Sequence, residues 1–223
     1  QPLESVKLGL GGNIVHDIIG PSTTTYASVD VSYTLDFEND SRLAFGIKAG
    51  GQLLNIDYTK LNEFNPNDVT FQNNTTNQFS PNVGAGLYYY NANSYLGLSI
   101  PMLLQTKRYD QLAYSDVNRR QHYYFAGGKV YDLSQNIKFK PSFVTKMTLG
   151  APLQVDLSGN FLFNERFTAG VSYRWSAALS AMVGFKVNDW ISLGYGYDRE
   201  TTRLSNFNSG SHEIFLQFDL FKI

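Results

Sequence analysis

The sequence predicts an all-β fold, a transmembrane up-and-down antiparallel β-barrel with about 12 strands in this chain. Three observations carry that prediction. Apolar residues alternate with small, polar or charged ones over segments of roughly 10 to 15 residues, about twice the usual globular strand. The connections tend to be tight at one end of the segments and longer at the other. Aromatic residues gather toward segment ends, where amphipathic rings suit the two faces of a bilayer.

Along the chain, Val6 to Ile14 opens the series. From Ala27 to Phe37 the apolar set is Ala27, Val29, Val31, Tyr33, Leu35 and Phe37, and the other face carries Ser28, Asp30, Ser32, Thr34 and Asp36. Two carboxylates on that face rule out a dry core behind it. Leu43 to Ala49 alternates in the same way, and the phase slips at Gly50, Gly51, Leu53 and Leu54, which predicts a β-bulge. SYLGLSIPML and KFKPSF are good strands interrupted by Pro101 and Pro141, each read as a bulge, an edge or the end of regular pairing. Arg120 to Tyr131 is the least regular, with aromatics on both faces. Leu153 to Phe163, Phe167 to Trp175 and Ala177 to Val187 alternate cleanly, as do Ile191 to Asp198 and a last strand through Ile214, Leu216, Phe218 and Leu220.

The tight turns are Glu38 to Asp40, Ala92 with Asn93, Leu133 to Asn136, Asn164 to Arg166 and Asn188 to Trp190. Thr59 to Phe79, Thr106 to Arg119 and Thr201 to Ser211 are longer, while the connections at Gly20 to Pro21 and at Ser176 are short exceptions. The Asn-rich run Asn62 to Phe79 reads as a solvated loop.

No helical period persists and no window approaches the roughly 20 apolar residues of a spanning helix, so a membrane role has to be built from strands. Charged residues are 17% of the chain and aromatics 15%, an odd surface for a water-soluble domain. A net charge of -1 gives no footprint for nucleic acid, and the absence of Cys excludes a disulfide scaffold. Residues 1–223 are expected to form one domain.

Period two alone does not separate a membrane barrel from a soluble sandwich or lipocalin, whose polar face meets water instead. Strand length and the aromatics near strand ends favour the membrane: Phe37, Tyr58, Tyr88 to Tyr90, Tyr95, Phe163, Phe167, Trp175, Trp190 and Phe221. The polar face then lines a lumen, with candidate charges Lys48, Lys138, Lys140, Lys146, Asp156, Arg174, Lys186 and Asp198, joined by Lys7, Asp30 and Asp219. Both signs occur in similar numbers, so internal salt bridges and an ion-selective pore are both open.

No residues suggest catalysis. His16, His122 and His212 lie apart without metal-ligand spacing, so neither a metal nor a cofactor is expected. Ser211 and His212 are adjacent on a strand and point to opposite faces, which prevents them from acting as nucleophile and base.

Several segments in order resemble the PorP/SprF family of Bacteroidota: RLAFGIKAG, PNVGAGLYYY, YLGLSIPMLL, NIKFKPSF, GAPLQVDLSGNFLF, FTAGVSYRW, GYGYD and SNFNSGSHEI. The resemblance implies an outer-membrane barrel of the type IX secretion system, placed integrally in the outer-membrane lipid with loops at the cell surface and short turns in the periplasm. It implies partners among the periplasmic ring and peptidoglycan-binding components, and secreted cargo with a C-terminal sorting domain, such as a gliding adhesin. The family pattern begins with an Asn-Pro-Ala-like motif and about two more strands not seen here, giving about 14 in the complete protein. It supplies no catalytic residues, and the translocation pore itself is not what it implies. The candidate external-loop contacts for cargo are Asn65, Phe71, Arg108, Tyr109, Tyr114, Arg203 and Phe207.

The function expected first is a non-enzymatic interaction protein that anchors partners or cargo. A porin-like diffusion channel is the alternative, and an outer-membrane enzyme comes last.

Overall fold

The computed structural model describes residues 2–3, 7–60, 74–104 and 121–220. Among these residues there are fourteen strands: β1 (Pro2–Leu3), β2 (Leu8–Ile19), β3 (Ser22–Asp36), β4 (Arg42–Ile56), β5 (Thr75–Tyr90), β6 (Ser94–Ile100), β7 (His122–Lys129), β8 (Tyr131–Ser134), β9 (Ile137–Thr148), β10 (Gln154–Phe163), β11 (Phe167–Arg174), β12 (Ala178–Lys186), β13 (Ile191–Glu200) and β14 (Ser211–Phe218). Thirteen follow one another in chain order as an antiparallel up-and-down sheet, and β8 lies off this path, paired with β9. The only helical pieces among the described residues are single 3-10 turns at Tyr58–Lys60 and Arg203–Asn206.

Contacts divide the chain into two units: Gln1–Tyr89 with Leu98–Tyr123 and Thr148–Gly150, and Tyr90–Gly97 with Tyr124–Met147 and Ala151–Ile223. In the first unit, β3 pairs with β2 over Ile19↔Ser22 to Leu8↔Tyr33 and with β4 over Ser22↔Ile56 to Asp36↔Arg42, neither ladder shifting register. The bulge expected at Gly50 to Leu54 is therefore absent from the β3 ladder. The two adjacent leucines fall on opposite faces of a regular strand, Leu53 exposed and Leu54 4% exposed. What looked like a phase slip is one apolar side chain packed on the polar face. Gly50 shares that face, and a Cβ there would meet Ala27 O and the Ser28 Cβ, so only glycine lets β3 and β4 approach this closely. The stretch expected as loop to Phe79 is also shorter, because β5 already begins at Thr75.

In the second unit, β9 to β14 pair in sequence without a register shift. Pro141 sits inside β9 opposite Gly159, and pairing with β10 continues through it. It breaks nothing on that side. On the other side it follows Phe139, the partner of Tyr131 in β8, and β9 then neighbours β7, so the missing donor falls where the partner strand changes. The irregularity lies in β8, whose register shifts between Asp132 and Ser134. Pro101 directly follows the end of β6, a plain strand boundary, and Leu220 lies beyond β14.

Three of the tight turns are held by an asparagine side chain. Asn91 Oδ1 accepts from the amides of Asn93 and Ser94 at 2.9 and 2.8 Å, and Asn188 Oδ1 from those of Trp190 and Ile191 at 2.8 and 2.9 Å. In the first unit Asn39 Oδ1 does the same for Ser41. Between β10 and β11, Asn164 and Glu165 both adopt positive φ (50° and 55°) and Arg166 N closes on Phe163 O at 3.0 Å, a two-residue hairpin whose twist matches its strands.

Alternation then sorts the side chains. In the second unit one face carries Leu157, Val171, Leu179, Val183, Phe185, Leu193, Ile214, Leu216 and Phe218, each between 44% and 80% exposed. Phe139, Phe161, Phe163 and Phe167 form a chain of rings at 4.7, 6.2 and 6.1 Å between successive centroids beside the Asn164–Glu165 hairpin. In the first unit the corresponding face carries Leu10, Ile14, Val29, Val31, Phe45 and Ile47, all exposed. Leaving nine half-uncovered apolar chains in water costs on the order of 10 kcal/mol, at about 1 kcal/mol each. That equals the whole net stability of about 5–15 kcal/mol of an ordinary domain. These faces have to be covered.

Candidate functional site

The polar face of the second unit is a grid whose rows are set by strand register. One row is Ser142, Ser158, Ser172, Ser180, Asp198 and Ser211, directly opposite one another across β9 to β14. Ser142 and Ser158 hydroxyls lie 2.7 Å apart, and Ser172 Oγ donates to Leu157 O at 3.3 Å. This hydroxyl row is not visible in the sequence, where the five serines sit in five separate segments.

One row further, Asp156 faces Arg174, whose Nε donates to Asp156 Oδ1 at 3.0 Å. Arg174 also reaches toward Asp198 Oδ2 at 3.9 Å, leaving Asp198 Oδ1 buried and without a hydrogen-bond partner. The three expected charges are brought together as one carboxylate-guanidinium-carboxylate group. Glu200 and Glu213, not among the expected charges, stand on the same face.

In the other direction along the strands the face turns basic. Lys138 and Lys140 stand two residues apart on β9, opposite Leu162 and Asn160. Lys138 makes two long contacts, 3.9 Å to Asp132 and 3.7 Å to Glu165, both well exposed. Lys140 Nζ lies 5.3 Å from the Tyr95 ring centroid. Lys186 pairs with Asp189 in the following turn at 3.1 Å. Lys146, opposite Gln154, makes no ion pair among the described residues. The Tyr95 ring expected at a membrane interface is thus on the polar face, and alternation along β5 puts Tyr88 and Tyr90 on the same face as Asn82.

In the first unit, Lys48 pairs with Asp30 directly across the strands at 3.5 Å. Asp36 is shared by Lys7 and Arg42 at 3.1 and 3.2 Å. The polar face here is more tightly packed: Ser28, Gln52, Ser80 and Asn82 are all buried, and Asn82 Nδ2 donates to Pro101 O at 2.7 Å and toward Tyr26 Oη at 3.4 Å. Asp219 lies past β14, accepting from Gln217 Nε2 at 2.9 Å.

Of the expected loop contacts, Asn65, Phe71, Arg108, Tyr109 and Tyr114 lie outside the described residues. Arg203 opens the 3-10 turn between β13 and β14, and Phe207 is 88% exposed there. The feet of the 57–74 connection are joined: Asp57 accepts from Thr59 Oγ1 at 2.6 Å and Asn74 Nδ2 at 3.3 Å, and Asn74 Oδ1 accepts from Tyr58 N at 2.9 Å. The Thr59 hydroxyl bond, the largest influence, holds the Asp57 carboxyl below its ordinary range, with further help from Lys60.

The histidines are engaged separately, His16 with Thr25 Oγ1, His122 with Thr148 Oγ1 and His212 with Tyr195 Oη, at 2.8, 2.9 and 2.6 Å. Register puts Ser211 opposite Asp198 and His212 opposite Tyr197, on the two faces of β14. Among the described residues no group of three His, Cys, Asp or Glu is placed to hold a metal.

Compared with known proteins, the family described as type IX secretion system membrane protein PorP/SprF matches residues 1–218. No curated protein matches the chain.

Proposed function

The chain belongs to the PorP/SprF family of type IX secretion system membrane proteins, and on that premise we propose that it is a non-enzymatic outer-membrane β-barrel that binds other proteins. Its partners are the periplasmic components of the secretion system, a secreted cargo such as a gliding adhesin held at the cell surface, or both. The observation that carries the membrane part is the exposed apolar face of both units, which lipid covers at no cost and water does not. With the apolar face outward, the polar face lines the interior of a single barrel domain, 1–223. The Asn-built turns face the periplasm, and the connections at 57–74, 101–121 and 201–210 face outward.

The pairing of charges supports an anchor over a channel. Lys48, Lys138, Asp156, Arg174, Lys186 and Asp198 are each within 4 Å of an opposite charge, so these six offer little fixed charge to select ions, while Lys140 and Lys146 make no ion pair among the described residues. Purification from native outer membranes in mild detergent, followed by mass spectrometry, tests the reading. Co-purifying type IX ring components or one large secreted protein is expected. A barrel that arrives alone and conducts steadily in planar bilayers, with conductance altered by Arg174→Ala, would assign it to diffusion instead.

A further inference from the structure

The apolar face of the second unit carries one permanently charged side chain within β9 to β14. Alternation along β13 puts Arg199 in line with Leu193, Tyr195 and Tyr197, and register sets it opposite Leu179, which itself stands opposite Tyr173. Arg199 is exposed and lies at the opposite end of β13 from the Asn188 turn. The ion pairs at that end join Arg174 to Asp156 and Asp198 on the polar face, and neither includes Arg199. No Asp or Glu stands at any apolar-face position of β9 to β14. A second copy of this sheet laid against the first by the same face would therefore bring no carboxylate to the guanidinium.

From this placement we infer that Arg199 holds the phosphate of an anionic lipid at the membrane interface. A guanidinium matches phosphate with paired N–H donors, and on a face given to lipid the headgroup is the anion within its reach. The neighbours have the makeup of an interface. Trp175, 67% exposed, follows Tyr173 toward the β11–β12 turn, and the Tyr173 hydroxyl accepts from Ser176 N at 3.3 Å, which leaves its own proton to donate. Tyr197 Oη donates to Ser209 O at 2.8 Å, drawing that ring toward the same end. Neighbouring strands are about 4.8 Å apart, so Tyr173 and Arg199 stand about 10 Å from each other on either side of Leu179. Toward mid-strand, Ala181 follows Leu179 on the same face and lies between Val171 and Tyr197. A small side chain between two larger ones makes a shallow trough for an acyl chain, for which a free phosphate ion has no use.

The inference rests on the lipid placement of this face proposed above, and the test separates the two. Trp175 and Trp190 are the chain's two tryptophans, so Trp190→Phe leaves a single reporter at the Arg199 end of the sheet. The full chain with that change is folded into phosphatidylcholine vesicles holding a minor fraction of either phosphatidylglycerol or phosphatidylcholine brominated near the headgroup, and quenching of Trp175 fluorescence is measured. Heat-modifiable gel mobility checks that each variant is folded. Brominated phosphatidylglycerol is expected to quench as a lipid bound about fivefold more tightly than its phosphatidylcholine counterpart, with a preference that shrinks as salt rises. Arg199→Gln should abolish the preference and Arg199→Lys should keep part of it. Lys140→Gln removes the same charge from the polar face and should leave the preference intact. Equal quenching by the two lipids, or a preference untouched by Arg199→Gln, would overturn the inference and leave the face in lipid. Quenching by neither lipid in a folded barrel would overturn the lipid placement and the inference with it.

Discussion

Val171 gives the sharpest test of which face meets lipid. It lies mid-strand in β11, opposite Gly159 and Ala181, and 60% of it is exposed. Phe167 at the strand start is about 13 Å away and Arg174 at its end about 10 Å, so an arginine at Val171 has no short route to either interface. For a water-exposed site, Val171→Arg changes stability by no more than about 0.5 kcal/mol. For a lipid-facing site near the bilayer midplane it costs about 2–4 kcal/mol, roughly a 30-fold to 700-fold shift in the folding equilibrium. Ser180→Lys is the matched control, because it places a cation on the polar face directly opposite Asp198. Both variants would be refolded into phospholipid vesicles and unfolded with urea, with the folded fraction read by gel mobility. The reasoning predicts a large loss for Val171→Arg and less than about 1 kcal/mol for Ser180→Lys. A Val171→Arg protein as stable as the parent, or one that stays soluble without lipid, would refute the assignment of the apolar face to the bilayer.

Other perturbations reach other parts of the sheet. A Cβ at Gly194 would overlap the Phe215 ring on the polar face, so Gly194→Ala should cost about 1–3 kcal/mol in the same urea titration, and adding Phe215→Leu should restore most of it. Arg174→Ala strips the cation from between Asp156 and Asp198; with all three groups partly solvated, the expected loss is about 1 kcal/mol, partly recovered by Arg174→Lys. The depressed Asp57 carboxyl makes its link to Thr59 fully present above the ordinary aspartate pKa of about 3.9 and lost as pH falls through its lower folded value. Protection of the Thr59 amide, which donates to Asp57 Oδ1 at 3.2 Å, should therefore be lost only at strongly acidic pH, whereas Asp57→Ala should leave it unprotected at every pH; equal protection at neutral pH would remove the carboxylate from that link.

Most of the sheet is legible in the sequence because period two is a strictly local signal. Val29, Val31, Tyr33 and Leu35 need no distant partner to declare one face, and the Asn turns declare themselves by residue type. The errors came where a local pattern has two causes. Leu53 and Leu54 in succession resemble a bulge, but the geometry is a regular strand with one leucine buried on the polar side. Pro141 resembles a strand end, but its missing donor is harmless where β9 changes partner. Tyr95 resembles an interfacial aromatic, but parity turns it toward Lys140.

The candidate site divides in the same way. Alternation in sequence alone assigned Lys48, Lys138, Lys140, Asp156, Arg174, Lys186 and Asp198 to the polar face. It said nothing about which charge meets which, because that depends on register between strands, a relation among segments far apart in the chain. Only pairing in three dimensions put Asp156 and Asp198 on either side of Arg174, lined five serines up with Asp198, and left Lys138 and Lys140 over a cavity. The sequence by itself determined the strands, their two faces and the turns that join them, since each follows from neighbours within a few residues. The tertiary structure decided the contents of the polar face, since hydrogen-bond register sets which side chains stand opposite one another.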